Sequence, residues 1–284
     1  MELPSPAIPN GERFVLVKGT AGLGNRIYAV LSAILYAKLS GRRVAVDWSD
    51  GVYASLGTDA FPLLFLSGSV TPLDAVPRAG STAPWMWARR LHRTARQLRR
   101  ELGVGILPRC PFVGSLYSVD MADLHHPEQV VVMWSLIPVI APLRRHLTGE
   151  WSDWRRLDEE AILARLLHEH LEVHPEVDAR VDDIRRTWPD RPRIGVHVRN
   201  TDRKTNLARL YRRLDALVAA EPNAVMFLAT DAAGIEDDFR RRYPGVLTTP
   251  KWFATDGPLH TLSSQCPDRL EMARASLVEM RVLA

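Results

Sequence analysis

The sequence predicts an α/β protein with parallel sheets in two domains. Three observations carry that prediction. Residues 13–18 form an apolar run, followed by a glycine-rich turn, a helically spaced apolar series and a second apolar run. Strand–helix–strand order recurs from Arg193 to Tyr243. The 284 residues are enough to bury two cores. Strands linked through a crossover helix run parallel, because the helix returns the chain to the same end of the sheet.

Taken in order, residues 13–18 read as a buried strand and Gly19-Thr-Ala-Gly-Leu-Gly24 as a tight turn. From Asn25 to Ser40, Ile27, Val30, Leu31, Ile34, Leu35 and Leu39 recur at helical spacing, and Gly41 supplies a stop. Arg43–Asp47 is the second strand. Pro62, Pro72, Pro77 and Pro84 mark loops. Residues 85–102 read as one amphipathic helix, with Trp87, Leu91, Ala95, Leu98 and Leu102 on one face and five arginines on the other. Residues 129–140 read as a strand running into a turn at Pro138. Helices follow at 157–173 and 177–188, separated by Pro175. Then come a strand at Arg193–Val198, a helix at Leu207–Ala220, a strand at 224–229, and helices at 235–243 and 268–283. The predicted domains are 1–160 and 161–284.

Composition narrows the class. The charge is mildly basic, +4, and the cations are nearly all arginine, the lysines being Lys18, Lys38, Lys204 and Lys251. Arginine's planar fork suits phosphate. Cys110 and Cys266 are too few for a disulfide framework, so free thiols are expected. The start lacks a charged, then apolar, leader pattern, and the longest apolar stretch, 130–143, is too short to span a bilayer. The expectation is a cytoplasmic protein.

Two segments carry chemistry. A glycine-rich turn opening a helix presents unpaired backbone N–H groups to an anion, and the helix dipole adds roughly half a positive charge. Gly22 and Gly24 allow close approach, Asn25 is a candidate helix cap, and Arg26 adds a cation. The rival dinucleotide reading rests on Gly22, Gly24 and Asp47 as a ribose-binding acid, but Ile27 stands where that fingerprint needs a small residue. The second segment is Ile194-Gly-Val-His-Val-Arg199-Asn-Thr-Asp202 at a strand end. His197 and Arg199 share a face by alternation. Arg199 suits clamping a diphosphate and stabilising it as it departs. Asp202 either orients Arg199 or binds a sugar hydroxyl; a structural ion pair between them is the competing role. Thr230-Asp231 closes the next strand at the same edge.

His168, His170 and His174 do not match a His-Glu-x-x-His metal site and read as a solvated helix end, as do His125 and His126 in a loop. The arginine face of 85–102 reads as solvated helix surface rather than a nucleic-acid platform. The eight tryptophans read mainly as core.

Gly22-Leu-Gly-Asn-Arg26, Val46-Asp-Trp48 with Tyr53 and Phe61, Ile194-Gly-Val-His-Val-Arg199 with Thr201-Asp202, and Phe227-Leu-Ala-Thr-Asp231 together resemble the bacterial nodulation-factor fucosyltransferases, related to α1,6- and protein O-fucosyltransferases. The resemblance implies two Rossmann-like domains facing each other in the glycosyltransferase-B manner. It implies inverting transfer of a sugar, L-fucose, from a GDP-sugar co-substrate to an acceptor hydroxyl, with no metal. It places Arg199 on the donor β-phosphate, His197, Asp202 and Asp231 in the donor site, and Gly24-Asn-Arg26 on the diphosphate. Asn200 stands where several relatives have a second arginine. The family continues past its last helix with a strand and a serine-rich segment, whereas this chain stops at Ala284, so a C-terminal sheet lacking its last strand is expected. Asp47, at the first domain's crevice, is the candidate catalytic base, and Thr230 a further donor-site residue. The expected partners are the donor and an acceptor (glycan, peptide or small natural product), with a homo-oligomer or partner subunit as an option. The alternatives are a nucleotide-sugar-binding protein without catalysis and an NAD(P) oxidoreductase.

Overall fold

The computed structural model describes residues 11–103, 117–188, 190–201, 204–254, 257 and 260–284. The chain divides into two compact units. Unit 1 comprises Met1–Asp50 and Leu56–Glu172, and unit 2 comprises Gly51–Ser55 and Val173–Ala284. Both are α/β with parallel sheets, as the sequence predicts.

In unit 1, β1 (Phe14–Lys18) lies between β2 (Arg43–Asp47) and β6 (Val130–Met133), and the short strands β4 (Val70–Thr71) and β5 (Thr82–Ala83) flank them in the order β4-β2-β1-β6-β5. Every residue of β1 and β6 is buried. That explains their unbroken apolar runs: a parallel sheet covered on both faces has no polar side to alternate with. Helix α1 (Leu23–Ser40) joins β1 to β2 and is buried continuously from Ala29 to Ala37. A helix apolar all round is a core helix. It ends at Gly41, whose φ of 65° only glycine adopts cheaply and whose N–H caps Ala37 O. On one face of this unit Phe14, Leu16, Val130 and Val132 pack on Trp87, Leu91, Leu98 and Tyr117. Each such burial contributes about 1.5–3 kcal/mol. A short helix, α2 (Phe61–Leu64), and strand β3 (Phe65–Leu66) bring Phe61 and Phe65 edge-on to Trp48. Helix α4 (Glu159–His170) packs on α1, so these residues belong to unit 1.

The arginine-rich segment differs from its prediction. The helix, α3, spans only Ala95–Leu102. Residues 85–87 are a separate 3-10 turn, and Arg89 sits at a left-handed φ of 60°. The reason is local. Thr94 and Gln97 form a capping box, each satisfying the other's backbone N–H, which starts a helix at that point. The predicted apolar residues still reach the core, because consecutive turns deliver Trp87, Leu91 and Leu98 to the same side. The predicted strand at 129–140 likewise ends at Met133.

In unit 2, β8 (Arg193–Val198), β9 (Val225–Thr230) and β10 (Leu247–Thr248) form a parallel sheet in the order β10-β9-β8. The two-residue β7 (Glu172–Val173) precedes it. Val196, Val198, Met226 and Leu228 pack with Leu214 of α6 (Leu207–Ala220) and with Ile235 and Phe239 of α7 (Ala233–Arg242). The other face meets α8 (Arg269–Leu283): a Cβ on Gly195 would come within 2.9 Å of Leu283 Cδ2. Helix α8 also packs on α5 (Pro175–Arg186), where Arg180 grips the Glu271 carboxylate with both terminal nitrogens.

Cys266 is a buried free thiol, and Cys110 lies outside the described residues. Among the described residues no cluster of three or more His, Cys, Asp or Glu is arranged to hold a metal, and no helix is long and apolar enough to cross a membrane.

Candidate functional site

The C-terminal ends of parallel strands are where α/β folds receive ligands. Each unit has such an edge, and the predicted site residues among the described residues fall on one or the other.

In unit 1, Gly19 opens the turn after β1, and its N–H donates to Asp47 O at the end of β2 (2.8 Å). Ala21 takes a left-handed φ of 53°. A non-glycine residue there is strained by about 1–2 kcal/mol, the kind of strain that gathers at ligand sites. Gly22 is the N-cap of α1 and supplies no side-chain hydrogen bond, and the first turn carries no acidic residue. The helix N-terminus is therefore uncapped and its dipole is not countered from within the turn. A Cβ at Gly24 would meet nothing within 4 Å, so the room there is not taken by protein.

Asn25 is inside the helix rather than at its cap. Its amide donates to Leu136 O instead. Arg26 is fully buried and turned inward: its guanidinium makes two bonds to Asp50 (3.1 and 2.6 Å), its Nε bonds Ala21 O (3.2 Å), and it lies over the Trp48 ring. This packing is why Gly19 has no side chain, since a Cβ would fall 2.2 Å from Arg26 Nη1. Arg26 thus builds the turn from behind.

Asp47 is also committed. It forms a buried ion pair with Lys18 and accepts from the Ser49 N–H (3.0 Å) and hydroxyl (2.5 Å). Lys18 also donates to Leu91 O (2.8 Å), and burial pushes it below the usual lysine range against the pull of Asp47. Nearby Asp59 accepts from the backbone N–H groups of Trp48 (3.0 Å) and Phe61 (3.1 Å), and burial raises its pKa to about 6. The ribose contact that a dinucleotide reading needs from Asp47 competes with its internal pair.

In unit 2, β8 and β9 end in register, Val198 beside Thr230. Asp231 then folds its carboxylate under the β8 loop. It accepts from the Asn200 N–H (2.7 Å), the Thr201 N–H (3.4 Å) and the Thr201 hydroxyl (2.5 Å). Thr205 Oγ1 donates to Arg199 O (2.8 Å), and Lys204 Nζ donates to Asn200 O (3.1 Å). The backbone at Arg199 is fixed from both sides while the Arg199 and His197 side chains are exposed, on the face that alternation predicts. Thr230 is buried and accepts from the Ala232 N–H (3.4 Å). Asp202 lies outside the described residues. Beyond β10, Lys251 pairs with Glu279 of α8, and burial raises the Glu279 carboxyl. Sequence reasoning did not single out this pair, whose partners are far apart along the chain.

No family model matches the chain. Among curated proteins, Nodulation protein Z of Bradyrhizobium diazoefficiens is 26% identical over 284 residues, covering 88% of this chain and 69% of that protein. Nodulation protein Z of Sinorhizobium fredii is 25% identical, covering 95% and 84%. A crystal structure of NodZ α-1,6-fucosyltransferase co-crystallised with GDP superposes with a TM-score of 0.60 at 22% identity, covering 96% of this chain and 85% of that one. The chain is similar in sequence to these NodZ proteins over most of its length. At that identity the structural likeness shows a shared α/β fold with parallel sheets, and the sequence likeness extends over nearly the whole chain.

Proposed function

We propose that the chain is a glycosyltransferase that moves a sugar, L-fucose, from a GDP conjugate to an acceptor hydroxyl, inverting the anomeric centre without a metal. The observation that carries the reading is the strand-end construction in unit 2, where Asp231 fixes the Asn200–Thr201 backbone and leaves Arg199 exposed at the ligand edge. The similarity to Nodulation protein Z supports it, since a NodZ structure soaked with GDP-fucose shares the fold.

In this reading the units form a glycosyltransferase-B pair, unit 2 carrying the donor and unit 1 the acceptor. The acceptor oxygen attacks the anomeric carbon, the bond from that carbon to the β-phosphate oxygen breaks, and the acceptor proton leaves to a base. The departing diphosphate takes the negative charge. Arg199 stabilises it, supplying the positive charge that a cation supplies elsewhere. His197, Asp202 and Thr230 line the donor, and the open N-terminus at Gly22–Asn25 faces the diphosphate. Arg26 and Asp47 act as positioning residues, because their charges are already paired inside unit 1. Cytoplasmic action belongs to the same reading.

Calorimetry of GDP, UDP and GDP-fucose against the chain tests this, with Arg199→Ala as control. Tighter binding of the two guanine ligands, weakened in the variant, is the expected result, and equal, negligible binding of all three overturns it. Released GDP or transferred sugar then separates a transferase from a protein that only binds the nucleotide sugar.

A further inference from the structure

The unit 1 edge carries an apolar lip that the donor chemistry does not use. Tyr28, Leu136 and Ile137 are 42%, 45% and 67% exposed. Isolated exposed apolar residues need no explanation, but a contiguous, rigidly built group does. Two hydrogen bonds bring the chain segments that carry these three together. Asn25, Tyr28 and Ser32 follow at positions i, i+3 and i+7 on α1, one stripe of the helix. The loop after β6 runs along that stripe, pinned at both ends: Asn25 Nδ2 donates to Leu136 O, and the Val139 N–H donates to Ser32 Oγ (2.9 Å). The loop backbone from Leu136 to Val139 therefore passes along the stripe of α1 that carries Tyr28. The loop is also braced internally, with Ser135 Oγ donating to Ile137 O (2.7 Å) and accepting from the Ile137 N–H (3.3 Å).

Polar side chains are thus spent on holding apolar ones in water. An exposed isoleucine forgoes the hydrophobic gain of burial, and nothing in unit 1's core needs these side chains outside. The lip begins at Asn25, in the first turn of α1, so it adjoins the uncapped helix N-terminus.

We infer that Tyr28, Leu136 and Ile137 form an acceptor subsite that binds an apolar group, alkyl or aryl, attached to the acceptor near its reacting hydroxyl. The inference rests on the reading that unit 1 takes the acceptor. Size selects the occupant. Three partly exposed side chains offer on the order of 300 Å² at most, given that even a large aromatic buries about 150–250 Å². A stable protein partner needs about 800 Å² per side, whereas an alkyl chain or a single ring matches the lip.

The test uses the full chain and glycosides below micellar concentration: methyl β-glucoside against octyl β-glucoside, followed by calorimetry or ligand-observed NMR, with wild type, Ile137→Ser and Tyr28→Ser. The octyl compound is expected to bind at least about tenfold more tightly than the methyl one. Each substitution should remove most of that difference while leaving the melting temperature and GDP affinity unchanged. Equal binding of the two glycosides, or an octyl preference that survives both substitutions, overturns the inference. So does a dimer in sedimentation that Ile137→Ser dissociates, since the lip would then be a contact between copies. GDP binding without octyl discrimination defeats the subsite and spares the proposed function; octyl discrimination without GDP binding does the reverse.

Discussion

The two strand edges occupy the same topological position and are built on opposite electrostatic plans. Unit 1 places Lys18, Asp47, Arg26 and Asp50 at or just behind its edge and pairs them inward. What it leaves outward is an uncapped helix N-terminus and an apolar lip. Unit 2 spends one carboxylate, Asp231, on backbone N–H groups and leaves Arg199 and His197 at the surface. A buried charge must be paired or it is very costly, so the inward charges define the shape of unit 1's edge. In unit 2 the fixed element is the backbone, and the Arg199 and His197 side chains lie at the surface. Having the right residue types at a strand end therefore does not make them ligand contacts: Arg26 and Asp47 are buried and turned inward, whereas Arg199 and His197 are exposed.

The largest test of this contrast is Arg26→Met. It leaves Asp50 without its bidentate partner beside a buried ring system and should cost about 3–5 kcal/mol in denaturant unfolding. If the cost is small and GDP affinity collapses instead, Arg26 faces the ligand after all. Next in size is a pH effect confined to unit 1. The Asp59 carboxyl titrates at about 6 in the folded protein, above its ordinary 3.8. A raised acid makes the native state bind more protons, so its stabilisation is full below about pH 4 and is lost as pH rises through about 6. Over that window wild type should lose up to about 3 kcal/mol relative to Asp59→Asn; parallel stability curves for the two proteins sink the assignment.

In unit 2 the effects should fall on binding. Arg199→Ala should weaken GDP by about 1.5–3 kcal/mol, the size of one charge-assisted contact, with an unchanged melting temperature. A lowered melting temperature with intact GDP affinity would make Arg199 structural, like Arg26. The smallest expected effect is Asp231→Ala, which unfastens the Asn200–Thr201 backbone. It should lower stability by about 1–3 kcal/mol and weaken GDP along with it, whereas loss of stability alone would separate the clip from the site.

Most elements were legible because burial imposes a period. Arg43–Asp47, Arg193–Val198 and Leu207–Ala220 form where the pattern places them. The failures have local causes. Trp87, Leu91 and Leu98 share a face, as the periodicity predicts, but they lie on separate turns and a short helix rather than on one helix. The Thr94–Gln97 capping box starts the helix inside a run whose apolar spacing fits a longer one. Asn25 is of a residue type that favours helix caps. Gly22 takes that position, and the Asn25 amide goes to Leu136 O, 111 residues away.

By itself, then, the sequence determined the parallel-sheet class, the order of the elements and the two edges where chemistry-bearing residues collect. Those follow from apolar periodicity and from glycine turns, which are properties of neighbouring residues. The tertiary structure decided which charges are spent. Lys18 meets Asp47 across 29 residues and Arg26 meets Asp50 across 24, and the Asp231 clip spans 31. No local pattern records such pairings, because a side chain's charge is neutralised by whatever the fold brings within about 4 Å of it, not by what precedes it along the chain.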